Sequence, residues 1–245
     1  MVAKSGLIKD KLLKIINKLM QQKNVTQNFI KEYDFIFSLG EACSCASALI
    51  TLGFRKSSFV FDWLYGGGYL GRANIVANKF DKFIEKRDLR YYSLDNRNEK
   101  MDAYKNNYNS LIFNHDFPKG IPFDESFCVV KEKYDRRIQR LLNILECTKN
   151  RVLLVYLESP MEDHVKIDDY EIVKGINLIR NNKDFKAHID LIYINLSKNF
   201  SVNTIHKGVT RIFCDYKQWN SSVNYEVDYK KLKFLSNLLK LKKDM

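Results

Sequence analysis

Short apolar runs alternate with longer helical patterns through the middle of the chain, and this alternation predicts the fold. Six runs rich in β-branched or aromatic residues are predicted strands, at residues 34–38, 58–61, 110–113, 151–157, 189–195 and 210–214. Most of them are apolar without a break, which is typical of strands buried on both faces. Helical periods between them are clearest at residues 44–52, 75–84, 132–147 and 170–180. We therefore expect an α/β fold in three layers, with a mostly parallel central sheet flanked by helices.

The two ends of the chain differ from this middle part because they are rich in lysine. Residues 1–30 predict a basic amphipathic helix, since apolar residues recur there at helical intervals with lysines between them: Ile8, Leu12, Ile15, Ile16 and Leu19. Residues 229–242 carry leucines at similar intervals and predict a C-terminal helix. Because 245 residues suit one large core better than two, we expect residues 31–245 to form a single α/β domain.

Charge is concentrated at these ends, and the whole chain carries a formal net charge of +12. The middle is close to neutral, so it lacks the continuous basic stripe that follows a phosphate backbone. We therefore do not expect nucleic acid as a partner. The N-terminal helix has two interpretations: contact with an anionic membrane surface, or packing of its apolar stripe on the domain with its lysines in water.

Cysteine usage and hydropathy bear on the cellular compartment. The five cysteines include no CxxC pair and match neither a disulfide framework nor a zinc motif, so we expect reduced thiols, no metal and no cofactor. Lysines interrupt the apolar runs of residues 1–20, and no run approaches the roughly 18 to 20 apolar residues of a membrane-spanning helix. The expected location is the cytoplasm, or the inner face of the membrane if the N-terminal helix binds it.

The segment after the first predicted strand carries the sharpest chemical signal. Ser38 and Gly40 lead through a tight turn to Cys43, which begins a predicted helix rich in small residues. Free backbone N–H groups at a helix N-terminus favour a thiolate and can hold an oxyanion, and ligands gather at this edge of parallel sheets. Cys43 is therefore a candidate nucleophile, with Ser38 and Gly40 as candidate substrate-binding residues. The alternative is that Cys43 is an ordinary small core residue.

Polar residues after two other predicted strands could complete such a site. His115 follows an apolar strand, where it could approach Cys43 and act as its base. Asp116 or Asp62 could orient the imidazole ring, which makes both of them candidate catalytic residues. Trp63, beside Asp62, is a candidate substrate-binding residue. The alternative for His115 is a hydrogen-bonding group on a surface loop.

A cluster of arginines lies on the helix predicted at residues 132–147. Arg136, Arg137 and Arg140 project from neighbouring faces within about one turn of one another. Guanidinium groups bind phosphate or carboxylate through paired hydrogen bonds, so these three arginines are candidate substrate-binding residues. The alternative is a solvated helix face.

Several of these segments resemble a bacterial family of unknown function, the DUF1796 family, which is catalogued as "putative papain-like cysteine peptidases". The resemblance runs through residues 38–40 with Cys43, then through residues 55–63, 113–117, 133–140 and 151–156. It implies a Cys-His site at Cys43 and His115 and a peptide-type substrate. It also implies a papain-like α+β fold, which is the alternative to the parallel arrangement.

Three functional classes follow, and the sequence leaves open whether the chain is an enzyme. In the first, a cysteine-dependent hydrolase or acyltransferase, Cys43 attacks an acyl carbon, His115 serves as base and then as acid, and turn N–H groups hold the oxyanion. In the second, a transferase acting on a sugar nucleotide or surface glycan, the arginines bind an acidic group and Cys43 only packs. The third is a binding module without catalysis. The separation of Cys43 and His115 discriminates between the first two classes.

Overall fold

Strands and helices alternate along the described part of the chain. The computed structural model describes residues 31–92, 100–158, 166–197, 201–214 and 239–241, and the predicted helix within residues 1–30 lies outside them. The elements before the long helix are β1 (Lys31–Tyr33), β2 (Phe35–Ser38), α1 (Cys43–Thr51), β3 (Leu64–Gly66), α2 (Gly68–Ala77), β4 (Leu89–Tyr91), β5 (Met101–Asn106) and β6 (Leu111–Pro118). From the long helix onward they are α3 (Phe123–Glu146), β7 (Arg151–Leu157), α4 (Asp169–Arg180), β8 (His188–Leu196), β9 (Ser201–His206), β10 (Val209–Cys214) and β11 (Leu239–Leu241).

The central sheet has five strands in the order β2-β7-β8-β10-β9. The first four run parallel, and β9 adds to the edge in the antiparallel direction. Apolar runs without a break build the parallel strands because both faces of the sheet are covered. The predicted mostly parallel sheet is confirmed.

Alternate side chains of the sheet enter two different cores. On β7, Leu153 and Val155 pack with Cys45 and Leu49 of α1. Val152 and Leu154 point to the opposite face, where α2, α3 and α4 contribute the larger core. Helices thus cover both faces of the sheet, which confirms the α/β prediction rather than the papain-like α+β alternative.

A second, antiparallel sheet was not predicted. Its four strands lie in the order β3-β6-β5-β4, and helix α3 packs on it through aromatic side chains. The rings of Phe83, Phe113 and Tyr134 lie with centroids 5.3 to 6.2 Å apart. This sheet matters for the site because it carries His115 and Asp116 on β6, which continues to Pro118 beyond the predicted strand end at Phe113.

Two predicted elements are wrong and a third is displaced. Residues 58–61 form turns instead of a strand, and β3 begins only at Leu64. The helix predicted at residues 75–84 begins earlier, at Gly68, and ends at Ala77. Residues 239–241, predicted as helix, form β11, which pairs in parallel with β1. The spacing of apolar residues along the chain gives no information about a strand partner that is distant in sequence. The remainder of the predicted C-terminal helix lies outside the described residues.

Glycines account for the early start of α2. Gly66 and Gly67 both have a φ of +76°, a backbone conformation that favours glycine. A Cβ on Gly66 would also lie 2.6 Å from the carbonyl oxygen of Ser110. The glycines therefore make the sharp turn from β3 into α2.

No helix in the described ranges is both long and apolar enough to cross a membrane.

Candidate functional site

Cys43 lies where β2 turns into α1, and its thiol is half-buried. It is the first residue of the helix, whose N-cap, Ala42, offers no side-chain hydrogen bond to the first turn. The backbone N–H groups of Cys43 and Ser44 lower the pKa of the thiol, but burial outweighs them and raises that pKa above its ordinary value. The expected net lowering of the pKa at the helix N-terminus is therefore wrong for this environment, because desolvation of the thiolate is the larger effect.

Close packing shapes the turn before Cys43. A Cβ on Gly40 would lie 2.4 Å from the Cβ of Cys45 and 3.2 Å from the backbone nitrogen of Leu157. The thiol of Cys45 donates to the carbonyl oxygen of Val155 at 3.3 Å, and burial raises its pKa to about 11. Ser38 is also buried. Gly40 and Ser38, predicted to bind substrate, thus lie in the packed wall of the turn.

Arg72, on α2, was missed from the sequence and holds this turn from the other side. Its side chain is fully buried, and burial lowers its pKa to about 10. The guanidinium donates to four carbonyl oxygens, those of Gly40, Glu41, Leu64 and Gly66. Arg72 therefore connects the turn that carries Cys43 to strand β3.

His115 lies on β6 with an exposed side chain. Its ring meets the ring of Trp63 edge-on, with centroids 6.0 Å apart. The structure shows no hydrogen bond between Cys43 and His115, both of which are described residues. Cys43 thus begins helix α1, whereas His115 lies on a strand of the antiparallel sheet, and Trp63 is the aromatic contact of the histidine.

Asp62 is the buried centre of the turn that precedes β3. Its Oδ2 accepts from the Nε of Arg55 at 2.9 Å and from the backbone N–H of Phe59 at 2.7 Å. Burial raises the pKa of Asp62, while the N–H of Phe59 and the guanidinium of Arg55 oppose this. The carboxylate gathers backbone and side-chain donors, which explains why residues 58–61 curl around it instead of pairing as a strand.

The carboxylate of Asp116 also accepts hydrogen bonds from neighbouring side chains. Its Oδ1 accepts from the ammonium group of Lys133, and its Oδ2 accepts from the hydroxyl of Tyr134 at 2.8 Å. Among the described hydrogen bonds, neither Asp116 nor Asp62 reaches His115. The edge-on contact with Trp63 is therefore the described interaction that positions the imidazole.

The arginines of α3 separate into two kinds. Arg137 is half-buried, and its guanidinium carbon lies 5.5 Å from the ring centre of Tyr134. Arg140 lies over the ring of Phe59 at 5.8 Å, with its Nη1 3.4 Å from the carbonyl oxygen of Ser58. Arg136 is exposed. The structure brings Arg137 and Arg140 to the turn around Asp62, although Arg140 is exposed like Arg136.

A polar network at the carboxyl edge of the parallel sheet was also missed. The hydroxyl of Tyr156 donates to Glu41 at 3.0 Å, and the hydroxyl of Tyr193 donates to Glu158 at 3.1 Å. Asn195 donates to the same oxygen of Glu158 at 2.5 Å. Burial and the neighbouring carboxylates raise the pKa of both tyrosines, so both stay protonated donors at neutral pH. In the described ranges, no group of three or more histidine, cysteine or carboxylate side chains could hold a metal ion.

Comparison with known proteins gives the family. Residues 34–193 match the profile of a family described as "Putative papain-like cysteine peptidase (DUF1796)". An uncharacterised protein of Acanthamoeba polyphaga mimivirus, R408, is 26% identical over 183 residues, which cover 69% of this chain and 74% of that protein. That relative is viral, so the bacterial origin implied by the resemblance stays a prediction. No solved structure gave a significant match. Because the profile spans more than half of the sequence, the chain belongs to the DUF1796 family.

Proposed function

We propose that this chain is a cysteine hydrolase that cleaves peptide bonds, with Cys43 as its nucleophile. The observation that carries the proposal is the position of Cys43 as the first residue of α1, at the carboxyl edge of a parallel sheet. The N–H groups of that first turn have no side-chain cap and are donors for an oxyanion. The family description adds the reaction class.

The reaction would proceed by acyl transfer to sulfur. A base removes the proton of the Cys43 thiol as the sulfur attacks the peptide carbonyl carbon, and the carbonyl oxygen takes the negative charge beside the first-turn N–H groups. The carbon–nitrogen bond then breaks, and the protonated base gives its proton to the leaving amine. Water, deprotonated by the same base, hydrolyses the thioester and restores the thiol.

His115 is the base that we propose. His188 and His206, the other described histidines, lie at the amino edge of the parallel sheet: His188 begins β8, and His206 pairs with the first residue of β10. The Cys43 nucleophile sits at the opposite edge. His115 contacts Trp63, whose neighbour Leu64 is bound by the same arginine that holds the Cys43 turn.

Without substrate, His115 and Cys43 are not hydrogen-bonded, and this limits how His115 can act as the base. His115 is exposed and makes no hydrogen bond to Cys43 among the described residues, so the proposal requires that the imidazole and the sulfur come together when substrate binds. Catalytic hydrogen bonds often form only in the substrate complex. Because burial raises the pKa of Cys43, the thiol needs such a base at neutral pH.

The substrate class proposed here is peptide, because the family is named for peptidases. Neither the family nor the described residues give support to a glycan substrate or to membrane contact. The cytoplasmic location, the transferase alternative and the non-catalytic alternative stay predictions from sequence.

Cleavage of a degenerate peptide library by the full chain tests the proposal. Cys43→Ala should abolish cleavage, and His115→Ala should reduce it by about a hundred-fold or more, the usual contribution of a general base. Cys128→Ala is the matched control, since that thiol lies exposed on α3, and it should cleave like the wild type. Cleavage that survives in Cys43→Ala would refute the assignment.

A further inference from the structure

We propose that Arg137 and Arg140 bind a carboxylate of the substrate, so that the chain prefers acidic peptides. The identity of the ligand as a substrate rests on the peptide-cleaving function proposed above. The binding site itself rests on the charge and position of both side chains and on one buried N–H donor of Arg137.

Charge around the turn at Asp62 is not balanced. Arg55, Arg137 and Arg140 lie beside this turn, and Lys133 lies one helical turn before Arg137 on α3. The carboxylates that these cations meet are Asp62 and Asp116. Arg55 pairs with Asp62 at 2.8 Å, and Lys133 pairs with Asp116. Within the described ranges this leaves Arg137 and Arg140 without a carboxylate partner. Two guanidinium groups on one helix that form no salt bridge favour an anion.

The guanidinium group of Arg137 includes a buried N–H donor. The Nη1 of Arg137 is buried and has no hydrogen-bond partner in the part of the chain that the structure describes. Buried N–H groups are nearly always satisfied in folded proteins. We assign this donor to the ligand because it belongs to a cationic side chain beside the Asp62 turn.

The donor is also held in a fixed place. The guanidinium carbon of Arg137 lies 5.5 Å from the ring centre of Tyr134, whose hydroxyl is anchored on Asp116. Arg137 is also among the groups that lower the pKa of Asp62, which places its charge close to that turn. A planar guanidinium held by an aromatic ring suits two-point binding of a carboxylate.

Position connects this pair to the proposed catalytic groups. The Nη1 of Arg140 lies 3.4 Å from the carbonyl oxygen of Ser58, on the same turn that leads to Trp63. Trp63 contacts His115, the proposed base. An acidic group held by the arginines would therefore lie beside the turn that leads to Trp63, which contacts the proposed base.

Peptide binding in a Cys43→Ala background tests the site without turnover. The probes are two short fluorescent peptides, amidated at the C-terminus, that differ only in a central glutamate or glutamine. A third probe keeps the glutamine but has a free C-terminal carboxylate. Dissociation constants are measured by fluorescence anisotropy, and thermal unfolding confirms that each variant is folded.

The matched control is Arg136→Ala. Arg136 is exposed on the same helix, and its removal changes the net charge by the same amount as removal of Arg137. It therefore measures the non-specific attraction of acidic peptides to a chain with net charge +12. Arg137→Lys keeps the charge and the aliphatic stem but loses the planar donor pair, so it serves if Arg137→Ala does not fold.

Arg137→Ala should weaken binding of the glutamate peptide by about ten-fold or more, the usual effect of losing charge-assisted hydrogen bonds, and Arg137→Lys should also weaken it. Arg136→Ala should change it by less than about two-fold, and the glutamine peptide should bind weakly to every variant. Arginine-dependent binding of the third probe would identify the carboxylate as the peptide terminus.

The inference is overturned if Arg137→Ala and Arg136→Ala have equal effects, if the glutamine peptide binds as well as the glutamate peptide, or if no probe binds. Since all binding is measured without the thiol, failure of cleavage by the wild type would remove the proposed function and leave this site intact.

Discussion

Replacement of Arg72 by methionine tests how the turn in front of Cys43 is held. The fully buried guanidinium donates to the carbonyl oxygens of Gly40, Glu41, Leu64 and Gly66. Four buried carbonyls that lose their donor at about 1.5 to 2 kcal/mol each cost roughly 6 to 8 kcal/mol. Burial lowers the pKa of Arg72 to about 10, which means that burial destabilises the charged guanidinium by roughly 3 kcal/mol. This cost disappears when methionine replaces the arginine. The free energy of unfolding should therefore fall by about 3 to 5 kcal/mol.

Urea denaturation followed by circular dichroism measures this change. Arg136→Met is the control, because the same substitution at an exposed position should alter stability by no more than about 0.5 kcal/mol. Arg72→Lys should fall between the two, since an ammonium group keeps the charge but cannot reach four acceptors. If Arg72→Met unfolds at the same urea concentration as Arg136→Met, the carbonyl contacts do not hold the turn.

Three further predictions concern single sites. Gly175→Ala should lower the free energy of unfolding by about 1 to 3 kcal/mol, because its Cβ would lie 2.4 Å from the buried ring of Tyr69. Gly71→Ala should raise the free energy of unfolding by about 0.5 to 1 kcal/mol, because no atom lies within 4 Å of the added Cβ. Equal urea midpoints for the two alanine variants would contradict both expectations. Asp168→Ala should lower stability by about 1 kcal/mol through loss of its capping box, and an unchanged urea midpoint would count against it. Since burial raises the pKa of Cys43, its alkylation by iodoacetamide should accelerate about ten-fold per pH unit to beyond pH 9, whereas a plateau below pH 8 would show a preformed thiolate.

The parallel sheet could be predicted because its strands need only local information. Residues 152–157 are apolar throughout, and the observed β7, Arg151–Leu157, has the predicted bounds. Strand β5, Met101–Asn106, could not be predicted in this way, since Asp102 and Lys105 are poor strand formers and the strand exists through its pairing with β6. At residues 58–61 the apolar run is real, but the carboxylate of Asp62 takes the backbone N–H of Phe59.

The site was predictable only in part. Cys43 could be placed because Gly40 and the small residues after it mark a strand-to-helix turn. Arg72 could not, because arginines on predicted helices are usually solvated, and its four carbonyl partners come together only in the fold. His115 was expected after the end of a strand, but Phe117 is buried and continues β6 past it. The histidine therefore projects from an extension of the predicted strand, and the antiparallel pairing of that strand was not predicted.

Covalent trapping tests the central claim, that Cys43 is the nucleophile. A peptide vinyl sulfone is incubated with the full chain at neutral pH, and the modified residue is identified by mass spectrometry. Exposure alone favours Cys128, because Cys43 is half-buried and its pKa is raised. We predict an adduct on Cys43 that is strongly reduced in His115→Ala. Labelling of Cys128 with Cys43 unmodified would contradict the account.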